Sequence, residues 1–388
     1  MRVGIYNEPS GGGIGGSEIT VAVLAEALSG QHQVEIIHHK AYMTLERLAE
    51  ISNADLSKTR MRYVEAAPFS FGSARTVRRR YEEARAWHAA LSEPYDLFIN
   101  FTHGFPPFCH ARRGMLVVLF PFHDRPHAHL RASVWNYLKS FYHEWEWQKR
   151  LGTYQIKTAI SEFARLWTKR RWGIDSEILY PPVDTRFQPG NKKNSILSVG
   201  RFTATGHSKK QLDMMSAFDQ LQTAAPSDWN YFCVGGVSED VKDIAYFESV
   251  SRKALEQRAQ VIANVEHDRL KSLYEQSKIF WHAAGYGEGD DRPELSEHFG
   301  IATVEAMAAG CVPLVINKGG QPEIVQHGVS GFVWENLGDL KLYTEMLMRD
   351  DTLRARLAEA ARARAAFFSR ERFINRFLSL INEPPSTV

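Results

Sequence analysis

The sequence predicts an α/β fold made of two halves, each with its own parallel β-sheet. Three observations predict it. The chain opens with a strand, a glycine-rich turn, a helix and a second strand within residues 3–38, which is a strand–helix–strand unit. The pattern breaks at Tyr180-Pro181-Pro182-Val183-Asp184, because two prolines bar a helix there. A second series of strands and helices then runs from residue 195 to residue 381, and such alternation produces parallel sheets covered by helices.

The elements of the first half follow from short apolar runs and from helical spacing. Continuous apolar runs predict strands buried on both faces, at residues 3–6, 34–38, 97–100 and 115–120. Apolar residues at helical spacing predict a helix over 19–28. Residues 76–91, rich in Arg and Glu, predict a second helix within an otherwise irregular stretch, 40–90.

The second half repeats this pattern. Apolar runs predict strands at 195–199, 231–234, 260–262, 279–281 and 312–315. Helical spacing predicts helices at 211–221, 270–276, 302–309, 337–368 and 370–381. We therefore expect a first domain over 1–185, a second over 186–369, and a C-terminal helix and tail over 370–388 that includes Glu383-Pro384-Pro385.

The composition excludes several classes of protein. The 388 residues carry 47 Lys and Arg against 45 Asp and Glu, a net charge of +2 that is too low for a broad nucleic-acid surface. The hydrophobic fraction of 44% is typical of a globular protein rather than a disordered one. Cys109, Cys233 and Cys311 are far apart, so neither a disulfide framework nor a zinc site is expected. No apolar stretch suits a membrane span or a signal peptide, so we expect a soluble, cytoplasmic protein.

A glycine-rich turn precedes the first helix. Five of the seven residues in Gly11-Gly12-Gly13-Ile14-Gly15-Gly16-Ser17 are glycine. Glycine lets backbone amides approach a ligand, and a helix N-terminus attracts anions, so the turn suits a phosphate or a diphosphate. It is not a P-loop, because no Gly-Lys-Ser/Thr closes it, and the match to Gly-x-Gly-x-x-Gly is weak. The alternative is a loop that binds no ligand.

Cations and carboxylates mark the second half. Gly200-Arg201-Phe202 follows a predicted strand and Lys209-Lys210 begins the next helix, which predicts a diphosphate site; the alternative is a solvated basic loop. Glu297 precedes a predicted helix and Glu305 lies two turns inside it. The amides of 299–302 would be N-terminal donors for a phosphate, and glutamates suit the hydroxyls of a polyol. For Glu305 the alternative is an ordinary surface glutamate.

These motifs together resemble the retaining nucleotide-sugar glycosyltransferases of family 4, which have the GT-B fold. The resemblance spans nearly the whole chain, with 40–95 matched least. It is carried by the glycine-rich turn, Tyr180-Pro-Pro-Val-Asp184, Gly200-Arg201-Phe202, the lysine pair, Glu297-x7-Glu305, Gly319-Gly320-x-Pro322-Glu323, and Gly328-x-x-Gly331-Phe332. It implies two Rossmann-like domains facing each other across a cleft, the first for the acceptor and the second for the donor, with the C-terminal helix packing back on the first.

The resemblance also implies roles for single residues. The backbone of Gly15 and Gly16 would face the donor phosphate. Arg201 and Lys209, with Lys210 as the alternative lysine, would neutralise the leaving diphosphate. Glu297 would hold the transferred sugar. The phosphate of the donor would be bound by the backbone amides of Phe299, Gly300 and Ile301. Glu305 would bind the ribose hydroxyls, and Val265, beside Asn264, would contact the base.

The chemistry implied is transfer of a hexose to an acceptor hydroxyl with retention. The acceptor would attack from the front face, and the leaving diphosphate would accept its proton. No Asp-x-Asp is present, and Glu288-Gly-Asp290-Asp291 is interpreted as a solvated loop, so no metal and no cofactor besides the donor are expected. The histidine that the family places against the donor sugar is assigned to His123 in preference to Leu119, with His103 as a second candidate.

Two other functions remain open at this point. An NAD(P)-dependent oxidoreductase would use the glycine-rich turn together with Glu35, although it leaves Arg201 and the two glutamates unexplained. A sugar-nucleotide-binding protein without activity would share the donor residues. The acceptor is left as a glycan, a lipid-linked sugar or a natural product. The aromatic and basic segment 163–172 leaves peripheral contact with the inner face of a membrane open, although an ordinary helix is favoured.

Overall fold

The computed structural model describes residues 1–7, 15–39, 43–65, 77–123, 134–188, 190–222, 228–255 and 257–382, without the side chains of 77–81, 134–140 and 142. The chain divides into two compact units. The first comprises Met1–Tyr180 and Ile374–Val388, and the second comprises Pro181–Phe373. Residues Gly11–Ile14 of the glycine-rich turn and the tail after Asn382 lie outside the described residues.

The first unit contains a parallel sheet of seven strands in the order β3-β2-β1-β4-β5-β6-β7. The strands are β1 (Arg2–Asn7), β2 (Gln33–His38), β3 (Thr59–Tyr63), β4 (Leu97–Thr102), β5 (Arg113–Val118), β6 (Ile156–Ala159) and β7 (Glu177–Ile178). The helices are α1 (Gly16–Ser29), α2 (Leu45–Ser52), α3 (Val77–Ser92), α4 (Val134–Gly152) and α5 (Glu162–Trp172). Strand order reverses between β1 and β4, where doubly wound folds bind their ligands.

The second unit contains a parallel sheet of six strands in the order β10-β9-β8-β11-β12-β13. The strands are β8 (Lys193–Val199), β9 (Asn230–Gly235), β10 (Ala259–Ala263), β11 (Ser277–His282), β12 (Val312–Ile316) and β13 (Phe332–Trp334). The helices are α6 (Gln211–Gln222), α7 (Val241–Ala254), α8 (His267–Gln276), α9 (Ile301–Ala308), α10 (Gln321–Ile324), α11 (Leu337–Arg349) and α12 (Asp351–Ala365), and the last helix, α13 (Arg370–Asn382), only begins in this unit. The reversal of strand order here lies between β8 and β11.

The predicted helical stretch, 337–368, is helical for nearly all of its length but is divided into separate elements. The structure divides it at Asp350, where α11 ends and α12 begins. The carboxylate of Asp350 accepts a hydrogen bond from the amide of Leu353 at 2.8 Å and so caps α12. A short helical turn, Ala366–Phe368, follows α12.

The central strands of both sheets are buried on their two faces, as the apolar runs predict. In the second unit Trp281 packs with Phe218 and Trp334 on one face, and Phe280 packs with Tyr274 on the other. The last helix, α13, continues from the second unit into the first. Its C-terminal half is held by Arg113, whose guanidinium donates to the carbonyl oxygens of Leu380 and Ile381.

Candidate active site

The best-developed polar cluster lies in the second unit, at the carboxyl ends of its central strands. Gly200 and Arg201 follow β8, and His282 is the last residue of the neighbouring strand β11. The loop after β12 brings Gly319 beside the same edge, because it packs against the backbone of Glu297. This edge is the point at which strand order reverses, which is where the doubly wound fold places ligands.

Glu297 lies at the centre of the cluster. Its carboxylate oxygen Oε2 is 2.5 Å from Nζ of Lys209 and 3.0 Å from Nε2 of His282. The side chains of Lys209 and Glu297 are 16% and 17% exposed, so the ion pair is partly shielded from water. The sequence motifs predicted both residues as site residues, and the structure brings them into direct contact.

The charge of Glu297 is fixed by these neighbours. Burial by itself raises the pKa of the carboxyl. The ammonium of Lys209 and the imidazoles of His207 and His282 lower this pKa by more than burial raises it. The resulting pKa lies well below the usual range, so Glu297 is ionised at neutral pH. An ionised glutamate accepts hydrogen bonds and donates none, which suits it to the hydroxyls of a bound polyol.

Two glycines allow this arrangement. Gly200 lies beneath the stem of Lys209, and a Cβ at Gly200 would meet Cγ of Lys209 at 2.6 Å. Gly319 has a positive φ of +63°, and a Cβ there would overlap the carbonyl oxygen of Glu297. The amide of Gly320 donates to that same carbonyl oxygen at 2.7 Å. The glycine motifs are therefore explained by close approach to the two partners of the ion pair.

The start of α9 follows Glu297 directly. Gly300 is the residue before the first helical turn, and the predicted phosphate donors Phe299, Gly300 and Ile301 are all at this end. Gln321 holds the segment, because its side chain donates to the carbonyl of Phe299 at 2.9 Å and accepts from the hydroxyl of Thr303 at 2.8 Å. An ordered helix N-terminus of this kind offers amide donors to an anion.

Glu305 is the fifth residue of α9, little more than one turn from its start rather than the two turns predicted, and it is not an ordinary surface glutamate. Burial raises the pKa of its carboxyl to about 7, and the negative charge of Asp184 adds to this effect. The hydroxyl of Tyr274 donates to Oε2 of Glu305 at 3.0 Å, which opposes the rise. Glu305 therefore changes its protonation near neutral pH.

The other predicted residues of this unit have separate surroundings. The side chain of Arg201 is exposed, while its carbonyl accepts a hydrogen bond from Gln211 at 3.0 Å. Nζ of Lys210 lies 2.6 Å from Glu288, and both side chains are largely buried. The interpretation of this segment as a solvated loop is confirmed for Asp290 and Asp291, which are exposed, but it is wrong for the side chain of Glu288, which Lys210 holds against the unit. Val265 packs at the margin of the Phe280 core cluster, and the Asn264 side chain accepts from the amide of Val237.

In the first unit the predicted phosphate amide is already engaged. The amide of Gly15 donates to Oε2 of Glu18 at 2.8 Å, and Asn7 donates to Oε1 of Glu18 at 3.2 Å. Gly16 is the first residue of α1. A phosphate at Gly15 would therefore have to displace the Glu18 carboxylate from that amide.

The two candidate histidines of the first unit differ in environment. His103, after β4, stacks on Phe122 with ring centroids 4.5 Å apart, and burial lowers its pKa to about 4. The side chain of His123 is exposed, and its carbonyl accepts a hydrogen bond from the indole of Trp172 at 2.9 Å. Glu35, which an oxidoreductase would need at a strand end, lies in the middle of β2 and accepts from the hydroxyl of Tyr95 at 2.6 Å.

Several residues of the cluster were not predicted. His282 contacts Glu297, and the ring of His207 stacks on His298 with centroids 5.1 Å apart. A histidine at the end of an apolar run gives no spacing signal, so only the adjacency of β8 and β11 reveals His282. Within the described ranges, no group of three or more His, Cys, Asp or Glu side chains is placed to hold a metal ion.

The fold has known counterparts among solved structures. A glycosyltransferase from Rickettsia africae superposes with a TM-score of 0.70 at 17% identity, covering 99% of both chains. HepE of Anabaena in complex with UDP superposes with a TM-score of 0.67 at 15% identity, covering 98% of this chain and 99% of HepE. These likenesses show that the chain has the GT-B fold.

The sequence families agree with the fold. Residues 14–187 match the model described as Glycosyltransferase Family 4, and residues 184–364 match the model described as Glycosyl transferases group 1. The chain belongs to the glycosyltransferases of the GT-B type.

Curated relatives are mannosyltransferases. A GDP-Man:Man(3)GlcNAc(2)-PP-Dol alpha-1,2-mannosyltransferase of Dictyostelium discoideum is 26% identical over 254 residues, 59% of this chain and 48% of that protein. The human alpha-1,3/1,6-mannosyltransferase ALG2 is 28% identical over 224 residues, 49% of this chain and 48% of that protein. The chain thus matches about half the length of each relative. None of its described helices is both long and apolar enough to cross a bilayer.

Proposed function

We propose that this glycosyltransferase transfers a hexose, with retention of the anomeric configuration, from a nucleoside-diphosphate sugar to an acceptor hydroxyl. The donor we propose first is GDP-mannose, because the curated relatives are mannosyltransferases and the Dictyostelium protein is named for GDP-mannose. The acceptor we propose is a glycan or a lipid-linked sugar. No metal or cofactor is assigned a role.

The observation that carries the proposal is the pairing of Lys209 with Glu297. Bond cleavage at the anomeric carbon adds one negative charge to a diphosphate that already carries two, and an ammonium held beside it stabilises that developing charge. Lys209 has three donors, so it can keep Glu297 and still donate to a phosphate oxygen. Glu297 is ionised and accepts hydrogen bonds, which suits it to hold hydroxyls of the sugar being transferred. Arg201, exposed on the same edge, supplies the second cation.

The proposed stereochemistry follows from what the chemistry requires. A retaining transfer by front-face attack needs a base on the side of the leaving group, and the diphosphate itself can accept the proton. The two carboxylates of the donor unit, Glu297 and Glu305, then serve binding. In this respect the site would differ from most glycoside hydrolases, whose paired carboxylates perform acid–base or nucleophilic chemistry.

The first test is direct. Purified protein is incubated with UDP-, GDP-, ADP- and dTDP-sugars, and thermal shift identifies the nucleotide that binds. A ligand at about one hundred times its dissociation constant adds about 2.7 kcal/mol of stability. Transfer is then measured with that donor and candidate acceptors, and the anomeric configuration of the product is read by NMR. Chelator added to one arm tests the absence of a metal requirement.

Substitutions of single residues test the roles proposed for Glu297 and Arg201. Glu297→Ala and Arg201→Ala should each lower transfer at least about a hundredfold, as loss of one electrostatic contact to a transition state does. Arg252→Ala is the matched control, because Arg252 is an exposed arginine of the same unit. Transfer near the wild-type rate in Glu297→Ala or Arg201→Ala would contradict the assignment.

A further inference from the structure

His282 holds a fixed place beside the proposed sugar-binding carboxylate. It is the last residue of β11, and the alternation of side chains along a strand puts it on the same sheet face as Phe280. The side chain is 5% exposed. Its Nε2 lies 3.0 Å from Oε2 of Glu297.

The chemistry of the contact determines which imidazole nitrogen carries the hydrogen. Glu297 is ionised and can only accept, so Nε2 of His282 is the donor. The opposite nitrogen, Nδ1, is buried and has no hydrogen-bond partner among the described residues. A second hydrogen on Nδ1 would be a buried donor without an acceptor, which is costly. The neutral form with hydrogen on Nε2 is therefore favoured, and burial lowers the pKa of His282 in the same sense.

Two donors meet at one oxygen of Glu297. Lys209 and His282 both contact Oε2, whereas Oε1 has no hydrogen-bond partner within the described part of the chain. Lys209 reaches Glu297 through a stem of four methylene groups, with four rotatable bonds, from the loop before α6. His282 reaches it through a short side chain on a central strand, with two rotatable bonds. The strand-borne donor therefore restricts the carboxylate plane more tightly than the lysine does.

We propose that His282 is a positioning residue, which pins Oε2 of Glu297 and turns Oε1 toward the hydroxyls of the transferred sugar. This inference rests on the proposed function, in which Glu297 binds that sugar. It assigns His282 no contact with the nucleotide. Its loss should therefore affect the sugar nucleotide and its transfer, while binding of the nucleoside diphosphate alone stays unchanged.

A pair of amide substitutions tests the geometry. The amide nitrogen of glutamine corresponds to Nε2 of histidine, whereas that of asparagine corresponds to Nδ1 and falls short of Glu297. His282→Asn should lower kcat for transfer about tenfold or more, the effect of a lost hydrogen bond to a charged group. His282→Gln should keep most of the wild-type kcat. Both variants should bind the nucleoside diphosphate with the wild-type Kd.

The possible outcomes distinguish failure of this inference from failure of the proposed function on which it rests. If the wild type transfers no sugar from any donor, the proposed function fails and the inference fails with it. If the wild type is active and His282→Asn equals it, the inference alone is overturned. Equal losses in His282→Asn and His282→Gln, or weaker binding of the nucleoside diphosphate, would also overturn it and make His282 a packing residue. Thermal unfolding of each variant confirms that it is folded.

Discussion

The ammonium of Lys209 lies 2.5 Å from Oε2 of Glu297, which joins the proposed phosphate-binding cation and the proposed sugar-binding carboxylate in one ion pair. The pair links two segments 88 residues apart in the chain. Charge at the site is thereby balanced, and each group orients the other. A donor that contacts both would add its phosphate and hydroxyls to an arrangement that already exists, so little rearrangement would be needed on binding.

The ion pair between Lys209 and Glu297 should contribute measurably to the free energy of unfolding. Lys209→Met leaves the ionised Glu297 without its ammonium, and we expect the free energy of unfolding to fall by about 2 kcal/mol. Because the pKa of Glu297 is depressed, this contribution is present above its ordinary pKa, 4.5, and is lost as the pH falls toward the lower folded value. Urea unfolding at pH 7 measures the change. The double variant Lys209→Met, Glu297→Gln should lose less than the sum of the singles, and strict additivity would refute the coupling.

Binding of the donor nucleotide should depend on pH through Glu305. Burial raises its pKa to about 7, and in the proposed role of Glu305 a ribose hydroxyl donates to the ionised carboxylate. Ionisation must therefore precede binding, so affinity for the nucleoside diphosphate should fall as the pH falls below 7, about tenfold between pH 8 and pH 6. Calorimetry across this range provides the measurement.

Glu305→Gln is the control for this pH dependence. The amide cannot titrate, so the contribution of Glu305 should disappear, while titration of the ligand's own phosphate remains in both proteins. The difference between the two profiles isolates the carboxyl. Parallel profiles in wild type and variant would show that Glu305 does not govern binding.

The fold was predictable where strands are continuous apolar runs. The strands β8, β9, β11 and β12 lie in the middle of their sheet and are apolar on both faces, so their sequence pattern is unambiguous. The strand β3 was missed, because Thr59-Arg60-Met61-Arg62-Tyr63 is an edge strand with polar side chains. The strand β13 was missed because it is only three residues long.

The site was predictable only as far as its motifs reach. Glu297 and Lys209 belong to segments with recognisable patterns, and the structure joins them. His282 and the contact between Lys210 and Glu288 depend on which strands become neighbours and how a loop returns. Long-range pairings of this kind leave no local spacing in the sequence, so the sequence did not predict them.

Close packing at Gly319 gives a third prediction. Gly319→Ala would place a methyl group against the carbonyl oxygen of Glu297. It would also force alanine into a left-handed conformation, at φ +63°, which costs about 1–2 kcal/mol. We expect lower stability and a clear loss of transfer, because Glu297 must move.

Gly328→Ala distinguishes the effect of backbone strain from the effect of a steric clash with Glu297. Gly328 has a similar φ, +73°, but a Cβ there meets nothing within 4 Å. This variant should lose stability by about 1–2 kcal/mol and keep its transfer rate. Thermal unfolding and initial rates on both proteins make the comparison. Equal rates in the two variants would mean that Gly319 does not support Glu297.

The two histidines of the first unit can be told apart by stability and activity together. His123 has an exposed side chain, so His123→Ala should leave the free energy of unfolding within about 0.5 kcal/mol of wild type. If His123 contacts the donor sugar, as the family resemblance predicts, transfer should nevertheless fall about tenfold or more. His103 stacks on Phe122, so His103→Ala should lower stability by about 1–2 kcal/mol. Urea unfolding and kcat/KM are measured for both variants. A loss of transfer in His103→Ala but not in His123→Ala would assign the sugar contact to His103 instead.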